Sequence, residues 1–184
     1  MHGRNRKTSL EIAPLVCAIT SSLGRPLHTL QSVVELLQVF RDAIKCHQSL
    51  YYDARILHRN ISPGNIVMVD HHHKGQPKGI LIDLDSAINL DEPYEADFEI
   101  TVTRSFMAIG VLRNEPHTCR HDLESFLYVL LWTVITNRAE APPEGSRLWQ
   151  WSNGDWEELA GRKSLDMAGE NIGDILGEFG SQFD

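Results

Sequence analysis

The chain has 184 residues, a formal net charge of -8 and a hydrophobic fraction of 42%. That length supports one domain with a sizeable core. The acidic balance excludes a nucleic-acid phosphate binder, which needs clustered Lys and Arg.

In chain order, residues 1–28 lack clear periodicity and contain Gly24 and Pro26, so they read as a poorly structured leader or remnant. Leu10–Leu23 carries Glu11 and is too short to span a bilayer, and no membrane partner is expected. Cys17, Cys46 and Cys119 are widely spaced and lack metal-type pairing. They fit buried free thiols in a reducing, intracellular compartment, cytoplasmic or nuclear.

The domain is expected over 29–165. Thr29–Gln48 predicts a helix, with Leu30, Val33, Leu37, Phe40 and Ile44 on one face and Thr29 as its cap. Ile56-Leu57 reads as a short strand. Ile66–Val69 and Gly79–Ile82 read as a β-hairpin around a polar turn, and 84–115 as an extended loop. Asp122–Thr136 is apolar nearly all round, the pattern of a helix buried in a core. A shorter helix is expected over Asp155–Lys163, with Trp149, Trp151 and Trp156 packing around its start. Residues 166–184 form a tail whose four glycines predict fraying.

Three segments carry chemistry. The first is His58-Arg59-Asn60-Ile61-Ser62-Pro63-Gly64-Asn65, between a strand and the hairpin. The second is Asp83, at the hairpin's exit. The third is Phe106-Met107-Ala108-Ile109, followed by Arg120-His121-Asp122 at the head of the buried helix. A carboxylate and an amide oxygen are hard ligands suited to Mg²⁺, and Asp83 and Asn65 can converge on one ion from the two ends of a hairpin.

The order and wording of these segments resemble the fungal-type protein kinases. The first is similar to the catalytic loop H-R-D-x-x-x-x-N, with Asn65 at the matching spacing, and Asp83 to the Asp of D-F-G. Met107–Gly110 is similar to the end of the activation segment. Phe40–Ile44, Ser62–Ile66 and Arg120–Phe126 add matching phrases, and the similar stretch runs from about 24 to about 160. The resemblance implies a mainly α fold with a small β-hairpin, the C-terminal lobe of a protein-kinase-like α+β fold, with the N-terminal lobe absent. It implies Ser/Thr phosphorylation with ATP and Mg²⁺, the ion held by Asn65 and Asp83. His58 packs the loop, Arg59 pairs with a phosphate on Thr101, Thr103 or Ser105, and Asp122 accepts backbone N–H bonds from the loop. A protein substrate or a regulatory protein is the implied partner.

The departures bear on activity. Asn60 stands at the position of the catalytic Asp, and an amide does not take a proton. Losing general-base help costs about 10²–10⁴ in rate. Gly110 stands where the acid of A-P-E belongs, and Ser62 where Ser/Thr kinases often carry a Lys. Neither G-x-G-x-x-G nor V-A-I-K precedes the first helix, so ATP affinity is expected to suffer. A weak or inactive enzyme is therefore expected. The alternatives are a pseudokinase scaffold that binds a partner, a fragment of an active kinase, and a small-molecule phosphotransferase of the aminoglycoside or choline kinase type. His71-His72-His73 reads as a solvated hairpin tip rather than a metal site.

Overall fold

The computed structural model describes residues 24–69, 75–92, 103–137, 139, 141–169 and 171–179. They form a mostly helical α+β arrangement with two small antiparallel sheets. Among them no helix is long and apolar enough to cross a membrane.

Strand β1 (Arg25–Pro26) lies within the stretch read as a leader. It pairs antiparallel with β3 (Ile66–Met68), which pairs antiparallel with β4 (Gly79–Leu81) in the register Ile66↔Leu81, Val67↔Ile80 and Met68↔Gly79. The hairpin is thus formed as the two apolar runs and the polar segment between them predict. The three-histidine tip, like residues 1–23, lies outside the described residues. β2 (Ile56–Leu57) pairs with β5 (Ile88–Asn89), a strand inside the segment expected to be loop. Two residues of pairing leave no periodicity to read.

Helix α1 spans Val33–Tyr52, not Thr29–Gln48. Ser32 caps it, its Oγ accepting from the Glu35 N–H at 3.1 Å, while Glu35 reaches back to the Gln31 N–H. Thr29 instead closes a 3-10 turn at Leu27–Thr29. The inward stripe is Leu36, Val39, Phe40, Ala43 and His47, whereas Leu37 is 58% exposed. Of the expected stripe, Leu30 and Phe40 are buried, but Leu37 and Ile44 are exposed because α1 lies very close to β4. A β-carbon at Gly79 would stand 2.2 Å from the Val39 carbonyl oxygen. So tight an approach turns backbone and the small Ala43 toward the strand, and counting only large apolar residues selects the neighbouring face.

A short helix α2 (Ile109–Leu112) leads to α3 (Cys119–Thr136). Phe126, Val129 and Leu131 of α3 are buried, and Asn137 ends it in the left-handed region (φ 43°). It is not sealed all round: Leu123 and Leu127 are 45% and 41% exposed. A 3-10 segment at Arg147–Ser152 buries Trp151 completely, and the indole N–H donates to Asp166 at 2.9 Å. Helix α4 (Trp156–Asp166) starts at its Asp155 cap. Within the expected tail, α5 (Asn171–Gly177) buries Ile175 and receives Arg147 on Asp174. Cys46 and Cys119 are free thiols, half-buried rather than sealed.

Candidate functional site

The loop after β2 is shaped by one carboxylate. Asp122, in the first turn of α3, is fully buried. Its oxygens accept the backbone N–H groups of His58 and Arg59 at 3.1 Å each. They also accept from the Nε2 of His47 (2.9 Å) and of His117 (2.8 Å). Burial pushes the carboxyl pKa up. The hydrogen bonds from His117 and His47 push it down further, and the balance leaves it at about 2. The group is therefore a fixed anion to which α1, the loop and the approach to α3 are all tied.

His58 is wholly buried. Its Nδ1 accepts from the Asn60 N–H at 3.3 Å, so Nε2 carries the proton it donates to the Ile82 carbonyl at 3.2 Å. Burial lowers its pKa, which keeps the ring neutral in this role. The ring thereby joins the loop to the exit of β4. Arg59 is also buried and sits at φ +66°.

Asn60, Asn65 and Asp83 come together at the mouth of the loop. The Asn65 amide donates to the Asn60 carbonyl at 2.8 Å, and the Ile82 N–H donates to the Asn65 carbonyl at 3.0 Å. The Asn60 side-chain amide donates to Asp83 Oδ2 at 3.3 Å, while Asp83 Oδ1 accepts from the Asp85 N–H. Asp83 is exposed and held at φ +67°. Two non-glycine residues of one small region thus sit in the left-handed backbone region. Such strain persists only where surrounding bonds over-determine it, and it gathers at functional sites.

The segment that ends at Ala108 packs on the other side of α3. Ser105 is buried, its hydroxyl against the Trp151 carbonyl and the Ser152 hydroxyl. This removes it from the hydroxyls that could carry a phosphate for Arg59. Thr103 is exposed, and Thr101 lies outside the described residues. At Gly110 a β-carbon would meet His121 Nε2 at 2.5 Å and Glu115 Oε2 at 2.6 Å. The place of an acid at 110 is thus filled by the side chain of Glu115.

Four residues of this region escaped the sequence reading. His47 had a signal: it stands four residues after Ala43 on the inward face of α1, a polar group in an apolar register. Glu124 had the four-residue spacing to Tyr128 on α3, whereas His117 and Lys163 had none, since their partners lie on other elements. Among the described residues, no group of three or more His, Cys, Asp or Glu could hold a metal ion.

The elements and the loop define a mainly helical α+β domain with a strained polar site at the exit of a β-hairpin. A model of the fungal protein kinase family matches residues 3–134, well over half of the chain, and the chain belongs to that family. The match begins upstream of the expected start near 24, so it includes most of the segment read as a leader, and it stops within α3. No curated protein matches the chain.

Proposed function

We propose that this chain is a protein-kinase-like C-terminal lobe, derived from ATP-dependent Ser/Thr phosphorylation, that transfers phosphate weakly or not at all. Membership of the fungal protein kinase family supports the reaction class. The succession of α1, the 58–65 loop, the β3–β4 hairpin and the buried α3 supports the lobe.

The observation that carries the reading is the 3.3 Å hydrogen bond from the Asn60 amide to Asp83. A carboxylate at position 60 would orient a substrate hydroxyl and accept its proton. The amide takes no proton, and it spends an N–H on the carboxylate that this reading assigns to the metal.

The residues present fit a hard divalent cation. Asp83 offers an exposed carboxylate, and Asn65 an amide oxygen whose own N–H₂ is already turned to Asn60. Mg²⁺, held there, would neutralise phosphate oxygens. His58 and Asp122 keep the loop in shape, and Asn60 would contact the substrate hydroxyl without taking its proton. A protein substrate or regulatory protein is the partner this reading implies.

The test is radiolabelled phosphate transfer from ATP to a generic protein substrate and to the chain itself, with and without Asn60→Asp. Background incorporation by the natural chain is expected, with any gain confined to the variant. Robust incorporation by the natural chain overturns the reading.

A further inference from the structure

Position 110 lacks the acid that anchors an activation segment, yet 105–109 is firmly seated, and the contacts that seat it come from elsewhere. Lys163, near the end of α4, is completely buried. Its ammonium donates to the carbonyls of Ser105 and Met107, each at 2.7 Å, and lies 3.9 Å from the centre of the Tyr128 ring. From the opposite side, Glu124 of α3 accepts the Ile109 N–H at 2.7 Å and the Tyr128 hydroxyl at 2.6 Å, both on Oε1.

A sealed lysine is costly, and burial pulls its pKa well down against the pull of Glu124. What compensates is geometric: two carbonyl oxygens and two ring faces, Tyr128 and, at 5.0 Å, Trp151. Both carbonyls it bonds belong to the segment, and the rings it faces are Tyr128 of α3 and Trp151, whose own carbonyl meets the Ser105 hydroxyl. Glu124 likewise spends its bonding oxygen on the segment and on Tyr128. A lysine needed only for packing would be replaced at lower cost by an apolar side chain of similar length.

We propose that Lys163 and Glu124, joined through Tyr128, form a clasp that positions residues 105–109 in place of an ion pair at position 110. The proposal rests on reading that stretch as the end of an activation segment. Lys163 and Glu124 are positioning residues. They grip the backbone from its carbonyl and its N–H sides, so the segment is docked without phosphate and without an acid at 110.

Residue-level amide hydrogen exchange tests the clasp without any phosphate transfer, so its outcome is separate from the fate of the kinase reading. Four variants are compared with the natural chain: Lys163→Met, Glu124→Ala, Glu124→Gln and, as a control, Ile175→Ala. Ile175→Ala cuts the core at α5 and removes none of the clasp's hydrogen bonds. Lys163→Met and Glu124→Ala are expected to speed exchange of the 105–109 amides about tenfold more than that of the α1 amides. Glu124→Gln keeps an oxygen able to accept both bonds and is expected to retain most of the protection. Ile175→Ala is expected to loosen both regions alike.

Loosening by Lys163→Met or Glu124→Ala that matches the control's uniform pattern, or no loosening, overturns the clasp. So does a Gln variant as loose as the Ala variant. If Lys163→Met does not fold, the Glu124 pair decides by the same criteria.

Discussion

His47 Nε2 donates to Asp122 Oδ2 at 2.9 Å, and both side chains are sealed from solvent. The contact joins the middle of α1 to the head of α3 and completes a set of four N–H donors around one carboxylate. Asp122→Asn keeps the size but turns an amide N–H₂ toward donors, leaving buried groups without acceptors. Breaking such a buried network costs about 3–5 kcal/mol. His47→Leu removes one donor and should cost about 1–3 kcal/mol. Urea unfolding of the two variants checks the order, and a His47→Leu variant less stable than Asp122→Asn would contradict this account of the site.

The same residues set the response to acid. His58 and His121 are both buried, and burial lowers each pKa below 6.5. Below an unfolded value of about 6.5, the unfolded chain takes up protons that the native chain refuses, so stability falls with pH until the lowered native values are reached. Asp122 adds a second loss. Its carboxylate stabilises the fold above the ordinary value of 3.8, and that stability disappears as pH falls toward about 2. Urea midpoints should therefore drop as pH falls through about 6.5, and again below about pH 4. A midpoint constant through about pH 6.5 refutes the assignment of buried neutral histidines.

The site was legible where its chemistry lies within a short stretch of chain. His58, Asn60 and Asn65 are fixed by spacing within eight residues, and Asp83 by its place after the second strand of the hairpin. What escaped was set by contacts distant in sequence. Lys163 meets carbonyls 56 and 58 residues away, and no local pattern marks it. The inner face of α1 was misread for a related reason: the closeness of β4, made possible by Gly79, decides which side is buried. Within the tail expected to fray, the described α5 is held because Asp166 and Asp174 share Arg147, a pairing that glycine content does not disclose.

If the proposed metal site at Asp83 and Asn65 holds, the Asn60 amide sets how the mouth of the loop answers to Mg²⁺. With Asn60→Asp, two carboxylates would face each other where an N–H now meets Asp83 at 3.3 Å. Like charges at that range disfavour joint ionisation, and a divalent cation relieves them. The variant should melt below the natural chain in the absence of divalent metal and should gain more from saturable Mg²⁺ than the natural chain does. Thermal melts across a Mg²⁺ titration read this directly. Identical responses from both chains would separate positions 60 and 83 functionally and remove the basis for a shared metal site.

Two glycines test whether close approach or local propensity controls the packing of α1. Gly79 faces the Val39 backbone, and an added methyl would stand 2.2 Å from its carbonyl oxygen. Backbone cannot turn aside as a side chain can, so α1 or β4 must shift, and the expected cost of Gly79→Ala is about 1–3 kcal/mol. Gly161 lies inside α4, exposed, with nothing within 4 Å of an added β-carbon. There the methyl restricts only the unfolded chain and favours the helix, so Gly161→Ala should stabilise by about 0.5–1 kcal/mol. Opposite signs for one chemical change are the expected result of chemical unfolding. If Gly79→Ala proves as harmless as Gly161→Ala, α1 does not lie as close to the hairpin as its buried stripe requires, and the route from His47 to Asp122 must be redrawn.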